Sequence, residues 1–174
     1  MAFIDIASRK KRLMTDRDAP LPTPDTLSLL LASQGITAPE AQAAVHAGLQ
    51  VLQDFLRTFN ARDAHAWAQV MNYPHVRFAG EQVTVWDNAL DYAASNDLAP
   101  LSATGWAYSR WDFIRPVQAD ATKVHFALQF TRYDTHHRAQ QSYQALYVVT
   151  LHNGHWGVQS RSSYAGILAP GAAF

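Results

Sequence analysis

The sequence predicts an α+β fold in which N-terminal helices pack on the concave face of a strongly curved antiparallel sheet. Three observations carry that expectation. Helical periodicity is concentrated in the first half of the chain, strand-favouring residues dominate from Trp106 to Tyr164, and breaker clusters divide that stretch into four runs. The last break is Asn153-Gly154, set between two alternating runs. That pair supplies the two positive-φ positions of a type I′ hairpin.

Each element has its own signal. Residues 1–22 read as an N-terminal extension, with the basic cluster Arg9-Lys10-Lys11-Arg12 as a solvated tail, and residues 23–174 as a single domain. Thr23 caps a first helix, Pro24 suits its first position, and the stripe Leu27, Leu30, Leu31 ends near Gly35. Thr37 and Glu40 have capping-box spacing. Val45, Leu49, Leu52, Phe55, Leu56 and Phe59 then recur at helical spacing. Asp63 caps a short helix, Ala64–Met71, with Trp67 and Val70 inward. Asn72-Tyr73-Pro74 breaks it, His75–Phe78 is a strand, and Ala79-Gly80 turns the chain into Val83–Trp86. Asp87 is expected to cap a further helix with Leu90 and Ala94 on its buried side, followed by a turn-rich segment. The long strands are expected at Trp106–Gln118, Thr122–Asp134, Gln141–His152 and His155–Tyr164.

Composition narrows the function classes. Lys+Arg and Asp+Glu balance at 14 each, so no electrostatic excess is at hand for nucleic acid. The absence of cysteine excludes disulfides, thiolate metal sites and thiol catalysis. No run has the length of a membrane span, and no apolar stretch follows the early basic residues, so the expected setting is cytoplasmic, off the membrane. His152 and His155 share a face across the Asn-Gly turn and His136-His137 occupy the preceding loop. Neither pair has a third ligand near it, so no metal site is expected, and no cofactor.

The two-residue turn fixes a register, and the register assigns faces. One face carries Trp156, Val158, Ser160, Ser162 and Tyr164 opposite Leu151, Val149, Tyr147, Ala145 and Tyr143. Val124, Phe126, Leu128, Phe130 and Arg132 of the preceding strand join it. The face runs from an apolar end to one of phenols, hydroxyls and a guanidinium, the composition of a pocket wall. Arg132 at its end either anchors a ligand carboxylate or snorkels to the rim with its stem on Tyr143. The second face mixes Leu146 and Val148 with Gln129, Gln144, Gln159 and Arg161. That mixture suits a subunit interface and predicts a homodimer joined sheet to sheet.

The run Phe59-Asn-Ala-Arg-Asp63 closing a long helix, the Trp67-bearing short helix, the Tyr73-Pro74-His75 strand entry and the final Trp156-Gly-Val158 with trailing serines resemble the nuclear transport factor two-like superfamily, in its uncharacterised bacterial and polyketide-cyclase-like branches. The resemblance covers roughly Ala38 to Ala165. It implies a cone with its cavity between helices and concave sheet face, and dimerisation through the convex face. Trp67, Tyr73 and His75 would then share the cavity with Leu128, Arg132, Tyr143, Tyr147, Ser160, Ser162 and Tyr164. The superfamily includes ketosteroid isomerase, scytalone dehydratase, limonene-epoxide hydrolase and non-catalytic binding or assembly domains. Arg110-Trp-Asp112 has the Arg-x-Asp spacing of its epoxide hydrolases, without a second acid in Gln141–Tyr164; the facing of that strand is open. His75 is the candidate catalytic base of a cyclase, isomerase or dehydratase. The expected function is binding of an apolar ligand with an anionic or oxygen-rich end, the alternatives being a dimeric assembly domain or an enzyme using His75.

Overall fold

The computed structural model describes residues 21–164. The Arg9–Arg12 cluster and most of the expected N-terminal extension lie outside them. The element order is α1 (Pro24–Ser33), α2 (Pro39–Asn60), α3 (Ala64–Ala68), β1 (Met71–Ala79), β2 (Gln82–Trp86), α4 (Ala89–Ser95), α5 (Ala99–Ala103), β3 (Trp106–Ala119), β4 (Lys123–Asp134), β5 (Ala139–His152) and β6 (His155–Ser163).

The helices begin where local chemistry satisfies their first amides, and they depart from expectation in five places. The Thr23 side chain accepts from the Thr26 amide ahead of Pro24, and Asp63 accepts from Ala66 ahead of α3. The capping box does not form: Ala38 is the N-cap of α2 and gives no side-chain bond, because Pro39 takes the first helical position. Asn88, not Asp87, caps α4 by accepting from Asp91. That start turns Tyr92 inward, fully buried, and leaves Leu90 exposed, reversing the expected facing. Ala99–Ala103 coils into α5 inside the segment expected to be turns, and α3 stops at Ala68 so that β1 begins at Met71.

The strands form one sheet in the order β2-β1-β6-β5-β4-β3, antiparallel except for the β1–β6 pairing. Register shifts in β3, between β4 and β5, and between β5 and β6 curve it, since each extra residue bends and twists its strand. α2 lies against the concave face. Leu49, Leu52, Phe55 and Phe59 are buried along it, and the Gly48 position sits directly on the Phe126 ring. The end of α2 is pinned to β3, because the Asn60 amide donates to the Ser109 carbonyl at 2.9 Å and accepts from its N–H at 2.8 Å. Trp111 reaches back to the Leu52 carbonyl at 3.2 Å.

The hairpin turn forms as expected, with Asn153 at φ 51° and Gly154 at φ 79°, and it sets Leu151 opposite Trp156 and Val149 opposite Val158. One residue later the register breaks. Val148 pairs with Ser160 rather than Gln159, and from there Tyr147 faces Arg161, Leu146 faces Ser162 and Ala145 faces Ser163. Gln159 is the extra residue of a bulge. Its side-chain nitrogen donates to the Pro74 carbonyl, and its oxygen accepts from the Thr150 hydroxyl at 3.1 Å. A one-residue slip exchanges the faces of everything beyond it. Ser160, Ser162 and Tyr164 therefore turn outward and Arg161 turns into the core, the reverse of the expected assignment.

Candidate functional site

The concave face beyond the bulge carries cations in apolar surroundings. Arg161 of β6 stands beside its register partners Arg77 of β1 and Tyr147 of β5. Arg161 is 2% exposed, Arg77 8% and Arg132 of β4 7%. Burying a guanidinium is costly unless its N–H groups and charge are met. Arg161 meets them with aromatic and neutral groups: Nε donates to His75 Nε2 at 3.1 Å and Nη2 to the Tyr92 hydroxyl at 2.9 Å. The Phe55, Trp67 and Tyr92 rings lie 5.3, 5.4 and 5.8 Å from its guanidinium carbon, within cation–π range. Arg132 rests on Tyr143, with its guanidinium carbon 4.7 Å from the ring centre and Nη1 donating to the hydroxyl at 3.4 Å.

Electrostatics follow from this packing. Burial, then the Arg161 charge, lowers the His75 pKa to about 3, so the imidazole is neutral at ordinary pH. Burial, then Arg161, lowers Arg77 to about 10. Burial also raises the Tyr73, Tyr92 and Tyr147 phenols, which the adjacent Arg161 opposes without reversing. The site therefore presents guanidinium N–H groups and un-ionised phenols. It is rich in donors.

The structure brings together Trp67, Tyr73 and His75 around Tyr92, with ring centres 5.2, 6.3 and 5.5 Å from it. Tyr147 joins them through Phe55, whose ring lies 5.4 Å from Tyr147 and 5.5 Å from Trp67. Arg132 and Tyr143 form the neighbouring cluster, linked by Phe130 and Trp111. Leu128 is core. Ser160 is half-buried on the outer side, and Tyr164 is 69% exposed. Ser162 and Tyr164 line an outer groove of about 570 Å³ with Arg115 and Leu146. Asp112 is also outward, accepting from Gln129 at 2.9 Å and Thr131 at 2.7 Å, so the Arg-x-Asp spacing does not place an acid in the cone.

Arg77, Tyr92, Phe55 and Arg161 were missed by the sequence reading. Arg77 was within reach of it, because alternation from an inward His75 puts Arg77 on the same face. Tyr92 follows once Asn88 is taken as the cap. Arg161 had no comparable signal, since its facing depends on the bulge.

No family model and no curated protein matches the sequence. Solved structures do match in shape. A domain of unknown function with a cystatin-like fold from Nostoc punctiforme superposes with a TM-score of 0.54 at 15% identity, covering 73% of this chain and 78% of that one. An NTF-2 like protein of unknown function from Shewanella oneidensis gives 0.53 at 10% identity, over 68% of this chain and 97% of its own. A ketosteroid isomerase-like protein from Erwinia carotovora atroseptica gives 0.50 at 16%, over 68% and 92%. The helix order, the curved open sheet and these superpositions together identify the architecture: the chain has the nuclear transport factor two-like fold.

Proposed function

We propose that the protein binds a small organic acid inside the cone, its apolar body against the aromatic wall and its anionic end on the guanidinium groups. The observation that carries this reading is the convergence of Arg77, Arg132 and Arg161 from separate strands onto one face, where all three act electrostatically on the Tyr147 phenol. A planar guanidinium matches a carboxylate with two parallel N–H bonds, and a low-dielectric wall strengthens them. The ketosteroid isomerase-like neighbour supports a fold that houses small molecules. Binding is favoured over proton-transfer catalysis because His75, the candidate base, already has Nδ1 on the Val158 carbonyl at 2.8 Å and Nε2 on Arg161. A base needs a lone pair aimed at substrate.

The test is a thermal-shift comparison of cinnamate, decanoate and their uncharged amides on wild type, Arg132→Met and Arg161→Met. Acids should raise the wild-type midpoint, amides should not, and Arg161→Met should lose the response. If no acid stabilises wild type, or if both variants respond as wild type does, the reading is wrong.

We also propose that two copies join through the outer sheet face. The bulge supports this by withdrawing Arg161 from that face, which leaves Phe78, Val83, Val85 and Leu146 43–60% exposed around Ser160 and Ser162.

A further inference from the structure

We propose that His75 and Tyr92 are positioning residues that set the orientation of Arg161, with His75 acting as a hydrogen-bond acceptor and Arg161 as the ligand's anchor; the anchoring half rests on the function proposed above.

The tautomer of His75 follows from its partners. Nδ1 lies 2.8 Å from the Val158 carbonyl, which can only accept, so Nδ1 carries the hydrogen. Nε2 lies 3.1 Å from Arg161 Nε, which can only donate, so Nε2 offers its lone pair. Both nitrogens are thus committed by groups with no alternative role. A proton on Nε2 would set N–H against N–H and add a second positive charge beside Arg161.

The groups facing the imidazole agree with this. Arg161 comes from β6, Arg77 from its own strand, Tyr92 from α4 and the Trp86 ring, 5.9 Å away, from β2. The charges acting on the ring are the cations Arg161 and Arg77, which oppose protonation along with burial. Tyr92 completes the grip by accepting from Nη2 at 2.9 Å. With Nε and Nη2 held from one side, the plane of the guanidinium is set, because two fixed bonds on a rigid fork leave it no rotation. Orientation is what two-toothed binding of a carboxylate requires, and a loosely held arginine supplies charge without it.

The experiment has two arms. In the first, nitrogen-15 NMR of the imidazoles in the full chain is followed from pH 8 to pH 5. His75 should show a protonated Nδ1 and an unprotonated Nε2 throughout. The opposite tautomer, or titration of His75 in that range, overturns the positioning role.

In the second arm, cinnamate affinity is measured for wild type, His75→Gln and His75→Phe across the same range. Gln extends an acceptor to the Nε2 position and should stay within about threefold of wild type, whereas Phe should lose about tenfold, the weight of one bond to a charged group. Wild-type affinity should be flat with pH. Equal loss in both variants, or a pH step centred near the ordinary histidine pKa, overturns it. If wild type binds neither cinnamate nor decanoate while the tautomer is as assigned, the anchor role falls and Arg161 is left as a structural cation.

Discussion

At the scale of single residues, the histidine that the family resemblance offers as a base is placed to receive a hydrogen bond instead. This has a consequence for stability. The His75 pKa falls from an unfolded value of 6.5 to about 3 in the fold. A group with a depressed folded pKa contributes its full stability above the unfolded value and loses it as pH drops, since the unfolded chain binds the proton more readily. Wild type should therefore lose about 1.4 kcal/mol for each pH unit below 6.5, until the folded pKa is approached. In His75→Gln that share of acid sensitivity should vanish, which urea denaturation at pH 7, 5.5 and 4 will measure. Parallel pH profiles for the two proteins would refute the assignment. Gly157 and Gly48 give a second residue-level comparison. A Cβ at Gly157 would sit 2.8 Å from the Met71 carbonyl carbon and 2.9 Å from the Asn72 nitrogen, both backbone. At Gly48 it would meet the Phe126 ring at 2.7 Å, but alanine there also gains about 1 kcal/mol of helix propensity. Gly157→Ala should cost about 3 kcal/mol and Gly48→Ala distinctly less, measured by the same denaturation.

At the scale of elements, β6 decides the site. Its first residues follow the type I′ turn and its last residues follow the bulge, so a single strand presents even-numbered residues and then odd-numbered ones to the core. Gly157 lets β1 approach, and Val158 donates to the Val70 carbonyl at 2.9 Å where the two strands first meet. Gln159 then bridges Pro74 and Thr150 across both neighbours. Deleting Gln159 should close the bulge and leave Val148 opposite Ser160 and Tyr147 opposite Arg161 in simple alternation, with Arg161 still inside beside His75 Nε2. The expected outcome is a loss of about 1–3 kcal/mol in urea denaturation, from the two bonds that Gln159 makes to Pro74 and Thr150, with the His75 tautomer unchanged by nitrogen-15 NMR. A deletion variant whose His75 loses its unprotonated Nε2 would mean that the Gln159 side chain, rather than the register, holds Arg161 inside.

At the scale of the whole molecule, the curved sheet has two faces of opposite character. The concave face is closed by α2, α3 and α4 over aromatic rings and guanidinium groups. The outer face runs from Val83 and Val85 on edge strand β2, through Val76 and Phe78, past the small Ser160 and Ser162, to Val148 and Leu146. Such a strip, with hydroxyls between apolar side chains, is the surface on which the proposed two-fold dimer would form. Light scattering at micromolar concentration should return twice the chain mass, and the double variant Phe78→Glu/Leu146→Glu should return the monomer mass while keeping its circular dichroism. A monomeric wild type would end the dimer proposal.

The sequence by itself determined the class of fold, the long helix, the four late strands and the hairpin turn, because these depend on local preference and on periodicity that neighbours in the chain share. It also placed Arg132, Tyr143 and Tyr147 on the face they occupy, since no irregularity within their strands intervenes between them and the signals that set their phase, whereas the grouping of Trp67, Tyr73 and His75 with them came from the family resemblance. Ser160, Ser162, Tyr164 and Arg161 were decided only by tertiary structure. Alternation carries facing along a strand until an extra residue breaks it. Whether one is tolerated depends on contacts with strands remote in sequence: here on the close approach at Gly157, the carbonyl of Pro74 and the hydroxyl of Thr150. Tyr92 was decided in the same way, by which of two adjacent polar residues caps α4 once Trp67, Trp86 and His75 surround the ring.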